Sequence, residues 1–203
     1  MVRPSFPWIG RLLVALILTG LPGIAHAHSP IAGAGDVVNG VLHPLLSPTH
    51  VLVLLALGLT AGRGQQSELR FPMFAFIPLS ALGLFLTTTG WVETVHPTIL
   101  IGIALVPAAL LALEKIPPRS VLTALFGCGA LALGLDSRVE SGSASSANKV
   151  LVANWISLNV LVADVAIYVG LLGAAKWFKI ALRIAGSWMI AIGVMVLAFA
   201  LRR

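Results

Sequence analysis

The chain of 203 residues is 58% hydrophobic and only 10% charged, with a formal net charge of +6 and a mean hydropathy of +1.00. A water-soluble fold of this length cannot hide so much apolar surface, so the composition excludes a soluble globular domain and makes the bilayer the solvent. The modest positive charge carries no basic stripe interleaved with aromatics, which excludes nucleic acid as a partner and suits loop cations at a membrane surface.

Residues 1–27 read as a cleavable signal peptide. Arg3 and Arg11 form the basic start, L12-L-V-A-L-I-L-T-G-L21 the short apolar core, and A25-H-A27 the small-x-small cleavage site. An uncleaved first helix is the alternative. Cleavage would leave His28 at an extracytoplasmic amino terminus, where amine and imidazole together form an auxiliary chelating pair.

Residues 28–203 are expected to form a single all-α, polytopic membrane domain, a bundle of about six transmembrane helices. The apolar spans fall at 37–62, 71–90, 95–113, 119–136, 149–174 and 180–201, separated by short polar breaks. Loops on one side carry Arg63, Arg70, Lys115, Arg119, Lys176, Lys179 and Arg183. The other side carries Arg138, Lys149, Arg202 and Arg203, so the richer side is read as cytoplasmic and the mature amino terminus as extracytoplasmic. On this topology Glu93, His96, Asp136 and Glu140 open toward the outer side, as does His43. The single cysteine, Cys128, lies between Gly127 and Gly129 and reads as part of a close-packed helix contact.

The first span carries the most informative chemistry: G40-V-L-H-P-L-L-S-P-T-H50 places His43, Pro44, Pro48 and His50 inside it. An imidazole in lipid needs a partner, and metal binding or proton handling are the natural uses. On an ideal helix the two histidines share a face but stand ~10 Å apart in height, too far to hold one ion. Each proline removes a backbone donor, so an unwound turn that draws the rings together is expected, with freed carbonyls facing the break. Asp164, midway along the fifth span in N159-V-L-V-A-D164, is expected to lie in the bundle interior, as a relay or a paired acid.

These residues bring a family into view. The leader followed by G40-V-L-H-P-L-L-S-P-T-H-V-L-V-L-L-A-L-G-L59 resembles the HupE/UreJ family, membrane proteins associated with hydrogenase and urease gene clusters and regarded as nickel permeases. His43 and His50 match the ends of that family's His, five residues, Asp-His signature, with Thr49 at the aspartate position. V92-E-T-V-H-P-T-I-L-I-G-I-A-L105 is similar to the family's Val-Glu turn, matched by Glu93, and R183-I-A-G to the start of its last helix. The second signature, Phe-His-Gly-x-Ala-His-Gly-x-Glu, aligns with A132-L-G-L-D-S-R-V-E140. Gly134 and Glu140 fit, Leu133 and Ser137 stand at the two histidine positions, and Asp136 lies beside the second.

The resemblance implies an inner-membrane permease or accessory protein for a divalent transition metal, nickel by family, supplying urease or hydrogenase maturation proteins. The metal is cargo, with no permanently bound cofactor. The implied ligands are His43, His50, Glu93 and Glu140, with Thr49, His96, Asp136, Asp164 and His28 as auxiliaries. The missing motif residues support an alternative, a non-transporting membrane scaffold or assembly subunit for a metalloenzyme. The chain has no GxSxG, HExxH or GxxxxGK[ST], so it is read as neither an enzyme nor an ATP-driven pump.

Overall fold

The computed structural model describes residues 33–64, 68–90, 95–138, 143–173, 175–200 and 202. The expected signal peptide, and with it His28, lies outside the described residues, as do Glu93 and Glu140. The described residues form seven helices and no strand: α1 (Asp36–Leu46), α2 (Pro48–Ala61), α3 (Arg70–Thr89), α4 (Pro97–Ala112), α5 (Arg119–Asp136), α6 (Ala144–Leu172) and α7 (Lys176–Ala200). The all-α class and the span positions read from the sequence are thereby met within a few residues, except that 37–62 is two helices.

By length and composition, α3, α5, α6 and α7 can each cross a membrane, and the bent pair α1–α2 supplies a fifth span if counted as one. The sequence predicts six. The remaining apolar helix, α4, has 16 residues and is about 24 Å long, short of the ~30 Å hydrocarbon layer.

Helix α2 is the centre of the bundle. It packs against α4, α6 and α5, and Val53, Leu54, Ala56, Leu57 and Ala61 are all buried along it. A helix apolar on every side belongs in a core, and P48-T-H-V-L-V-L-L-A-L-G-L-T-A61 has that pattern. Around it α1 pairs with α6, α3 with α5, and α4 with α7. Large apolar side chains point outward from the outer helices, among them Phe74, Leu171 and Phe199, as lipid contact requires. Cys128 is exposed on this outer surface, whereas its neighbours Gly127 and Gly129 meet Leu79 and Leu57. The close contact therefore belongs to the glycines and not to the thiol.

Helix ends follow local chemistry. Gly90, at φ 71°, terminates α3 in the left-handed conformation. Past the end of α4, Glu114 takes φ 57°, its N–H bonds to the Leu111 carbonyl, and the Lys115 N–H bonds to the Leu110 carbonyl. That pair of bonds is a Schellman motif with glutamate at the position that favours glycine. The Arg63 guanidinium, at the end of α2, donates to the Leu110 carbonyl at 3.3 Å. Burial pushes Arg63 below its ordinary value, and the charge of Glu114 opposes that shift.

A histidine pair at a broken span

The first span breaks at Ser47. The residue before a proline is disfavoured in the helical region, and Ser47, preceding Pro48, is extended at φ −92° and ψ 111°. Pro44 cannot donate to the Gly40 carbonyl, which loosens the turn before the break. Pro48 then opens α2 at a position where its missing N–H costs nothing. The axes of α1 and α2 differ by 70°.

This bend converts a seven-residue separation into contact. The rings of His43 and His50 lie edge to face, their centroids 5.4 Å apart and their planes at 71°. His50 is fully buried, and its Nε2 lies 3.0 Å from Oδ2 of Asp136 at the end of α5. A carboxylate accepts, so Nε2 carries the hydrogen, and in the neutral ring Nδ1 is then the lone-pair nitrogen. Nδ1 has no hydrogen-bond partner among the described residues. A histidine held by a carboxylate through one nitrogen, with the other nitrogen bare, is the arrangement that orients an imidazole toward a cation.

The position of Asp136 is set by glycines. Gly83 on α3 and Gly134 on α5 face each other. A Cβ on Gly134 would lie 2.8 Å from the Gly83 Cα, and one on Gly83 would lie 2.9 Å from the Gly134 Cα. The backbones thus touch directly, a packing that small residues alone permit. Asp136 follows two residues later, and the adjacent Ser137 turns its Oγ onto the Leu133 carbonyl at 2.7 Å. Leu133 is itself fully buried in the core. The two positions where the family signature has histidine are occupied by packing and by local capping.

The other predicted residues take different places. Thr49 pairs through Oγ1 with Ser47 Oγ at 3.1 Å, within the break. His96 is exposed and caps α4: its Nδ1 accepts from the Thr98 N–H at 3.4 Å and lies 2.8 Å from Thr98 Oγ1. Asp164 corrects an expectation. It is exposed on α6, not interior, because the buried stripe runs through Leu158, Val162, Ala166 and Val169 and places 164 on the opposite side of the helix. Among the described residues, no three of His, Cys, Asp and Glu are grouped closely enough to hold a metal ion.

Two uncharged polar residues that sequence reasoning passed over tie α6 to its neighbours. Ser157 donates from Oγ to the Val41 carbonyl at 2.8 Å, joining α6 to α1. Trp155 Nε1 donates to the Ile77 carbonyl at 3.1 Å, joining α6 to α3 beside Pro78. Serine and tryptophan within an apolar span were the available signal, since a hydroxyl or indole N–H there favours a partner on a neighbouring helix.

No curated protein and no solved structure matches the chain. The family model described as HupE / UreJ protein matches residues 16–196, nearly the whole of it. The chain belongs to the HupE/UreJ family.

Proposed function

We propose that this protein is an inner-membrane permease or accessory protein for a divalent transition metal, nickel by family, supplying urease or hydrogenase maturation. The observation that carries the reading is the broken first span, which sets His43 and His50 in ring contact with a carboxylate fixed on the second of them. Imidazole nitrogen suits nickel, zinc, copper and iron alike, and a carboxylate behind one ring raises its basicity. Glu93 and Glu140 complete the proposed ligand set, with the mature amino terminus extracytoplasmic. The role is non-enzymatic, and without a nucleotide-binding motif movement is passive or ion-coupled.

Nickel uptake tests it. Cells expressing the wild type should accumulate labelled nickel, and the His43→Ala, His50→Ala pair should not. Equal uptake by both refutes the permease.

A second reading has its own observation. Leu133 and Ser137, at the family's histidine positions, are committed to the core and to capping, which is what a non-transporting scaffold for a metalloenzyme would show. Purified protein free of metal by elemental analysis, together with co-purification of a maturation protein, would favour that reading.

A further inference from the structure

Helices α3 and α5 run parallel. Arg119 lies against Phe71, Gly127 against Leu79 and Gly134 against Gly83, so positions rise together along both. Their N-termini therefore stand side by side at one surface of the bundle. The ends of α2 and α4 reach the same surface, where Gly64, Ile116 and Arg119 line one small cavity. Helix α5 starts after Pro118 without a side-chain cap, which leaves its first-turn N–H groups facing outward there.

Two guanidinium groups gather at this surface on one aromatic ring. The Cζ of Arg119 lies 4.2 Å from the centroid of the Phe71 ring, and the Cζ of Arg70 lies 4.8 Å from it. The two cations cannot stand farther apart than those distances together, a gap that one phosphate group can bridge. The ring offsets part of their mutual repulsion. Among the described residues neither arginine has a carboxylate partner, the ion pairs being His50 with Asp136 and Arg183 with Glu114.

Beside the arginines runs an open groove of about 910 Å³ lined by Glu68, Phe71, Arg119, Ser120, Thr123 and Ala124. Its polar end holds the Arg119 guanidinium and the exposed Ser120 hydroxyl. Its other end is apolar. Ala124 is exposed, and one turn farther into the membrane so are Phe74 and Cys128. Glu68 is exposed and lies before α3. Arg70, Arg119 and Glu68 together carry one net positive charge, the complement of a singly charged headgroup.

We propose that the groove between α3 and α5 binds an anionic phospholipid of the adjoining leaflet. Its phosphate lies between Arg70 and Arg119, and an acyl chain follows Ala124, Phe74 and Cys128. Forked guanidinium donors match phosphate oxygens, and cations at a span end attract anionic lipid. A soluble anion would satisfy the charge and leave the apolar continuation bare, whereas a lipid covers both. The site is independent of the metal reading and shares no residue with it.

The test titrates full-length protein in a neutral detergent with phosphatidylglycerol and, separately, with phosphatidylcholine. Native mass spectrometry counts bound lipid, and melting temperature is followed in parallel. Phosphatidylglycerol should bind about tenfold more tightly than phosphatidylcholine and raise the melting temperature. Arg70→Gln with Arg119→Gln should weaken that binding about tenfold or more. Lys176→Gln with Lys179→Gln removes the same charge from another exposed segment and should leave the affinity within about threefold of the wild type. Arg70→Lys with Arg119→Lys keeps the charge but loses the forked donors. It should still weaken binding about threefold or more, which decides the matter if the glutamine pair does not fold. Equal affinity for the two lipids, equal loss in the Lys176 and Lys179 control, or wild-type affinity in either arginine pair overturns the inference. A rise in melting temperature as large with inorganic phosphate alone assigns the groove to a soluble anion and overturns the lipid.

Discussion

Replacing Asp136 by alanine strands His50. The change removes the acceptor 3.0 Å from Nε2 and leaves an N–H with 0% side-chain exposure and no route to water. Two magnitudes bound the cost. Interhelical hydrogen bonds between side chains in membranes average about 0.6 kcal/mol and reach about 1.7 kcal/mol. Breaking a buried ion pair by removing one partner costs about 3–5 kcal/mol. The pair here joins a carboxylate to an imidazole at full burial, above the first class and below the second when the ring is neutral, so about 2–3 kcal/mol is expected. The double replacement His50→Leu, Asp136→Leu removes both polar groups at once and should recover to within about 1 kcal/mol of the wild type. Equilibrium unfolding in mixed micelles of the wild type, His50→Leu, Asp136→Leu and the double variant closes the cycle, with Asp136→Ala measured beside them. A loss under about 0.5 kcal/mol in Asp136→Ala, or a double variant no better than the single one, would refute the pairing.

Three more outcomes follow from the packing. Gly134→Ala puts a Cβ 2.6 Å from the Ser80 carbonyl oxygen, so α5 must shift from α3 at a cost of about 1–3 kcal/mol; a lowered melting temperature with weakened metal uptake checks it, since Asp136 moves too. Glu114→Gly relieves the left-handed φ of 57° and should stabilise by about 0.5–1 kcal/mol in thermal melts, the 3.7 Å surface pair with Arg183 contributing little. Asp164→Leu should leave nickel uptake unaltered and raise stability, because the carboxylate faces outward from α6. Lost uptake in a folded variant would put Asp164 back in the pathway.

Much of this was legible before any coordinates. The prolines between the histidines announced the break, and Ser47 adopts the extended conformation that Pro48 imposes. Span limits were readable because apolar runs end at charged or glycine-rich turns. What the sequence conceals is direction around a helix. Asp164 reads as interior because a carboxylate in lipid is unfavourable, yet it lies two positions from both Val162 and Ala166, off their face. Gly58, Gly62 and the small residues of α6 mark the true inner stripe. The partner of His50 was concealed for a different reason: Asp136 lies 86 residues away, and nothing local to either residue encodes the pairing.

Thr49 and Asp136, the two departures nearest His50, stand differently toward its ring. A carboxylate at 49 would sit one residue before His50 on the same helix, about 100° around the axis, and so would not face the ring directly. Asp136 reaches Nε2 from α5 and so ties α2 to α5. On the proposed reading, a cation drawing on Nδ1 polarises the ring and strengthens the hydrogen bond from Nε2 to Asp136. Occupancy should therefore tighten the end of α5. Hydrogen exchange at the amides of residues 133–137 is expected to slow when Ni²⁺ is added, and the slowing should vanish in Asp136→Asn, whose amide oxygen is a weaker acceptor than the carboxylate. Equal slowing in that variant would mean that the metal stabilises the bundle by some route other than the imidazole.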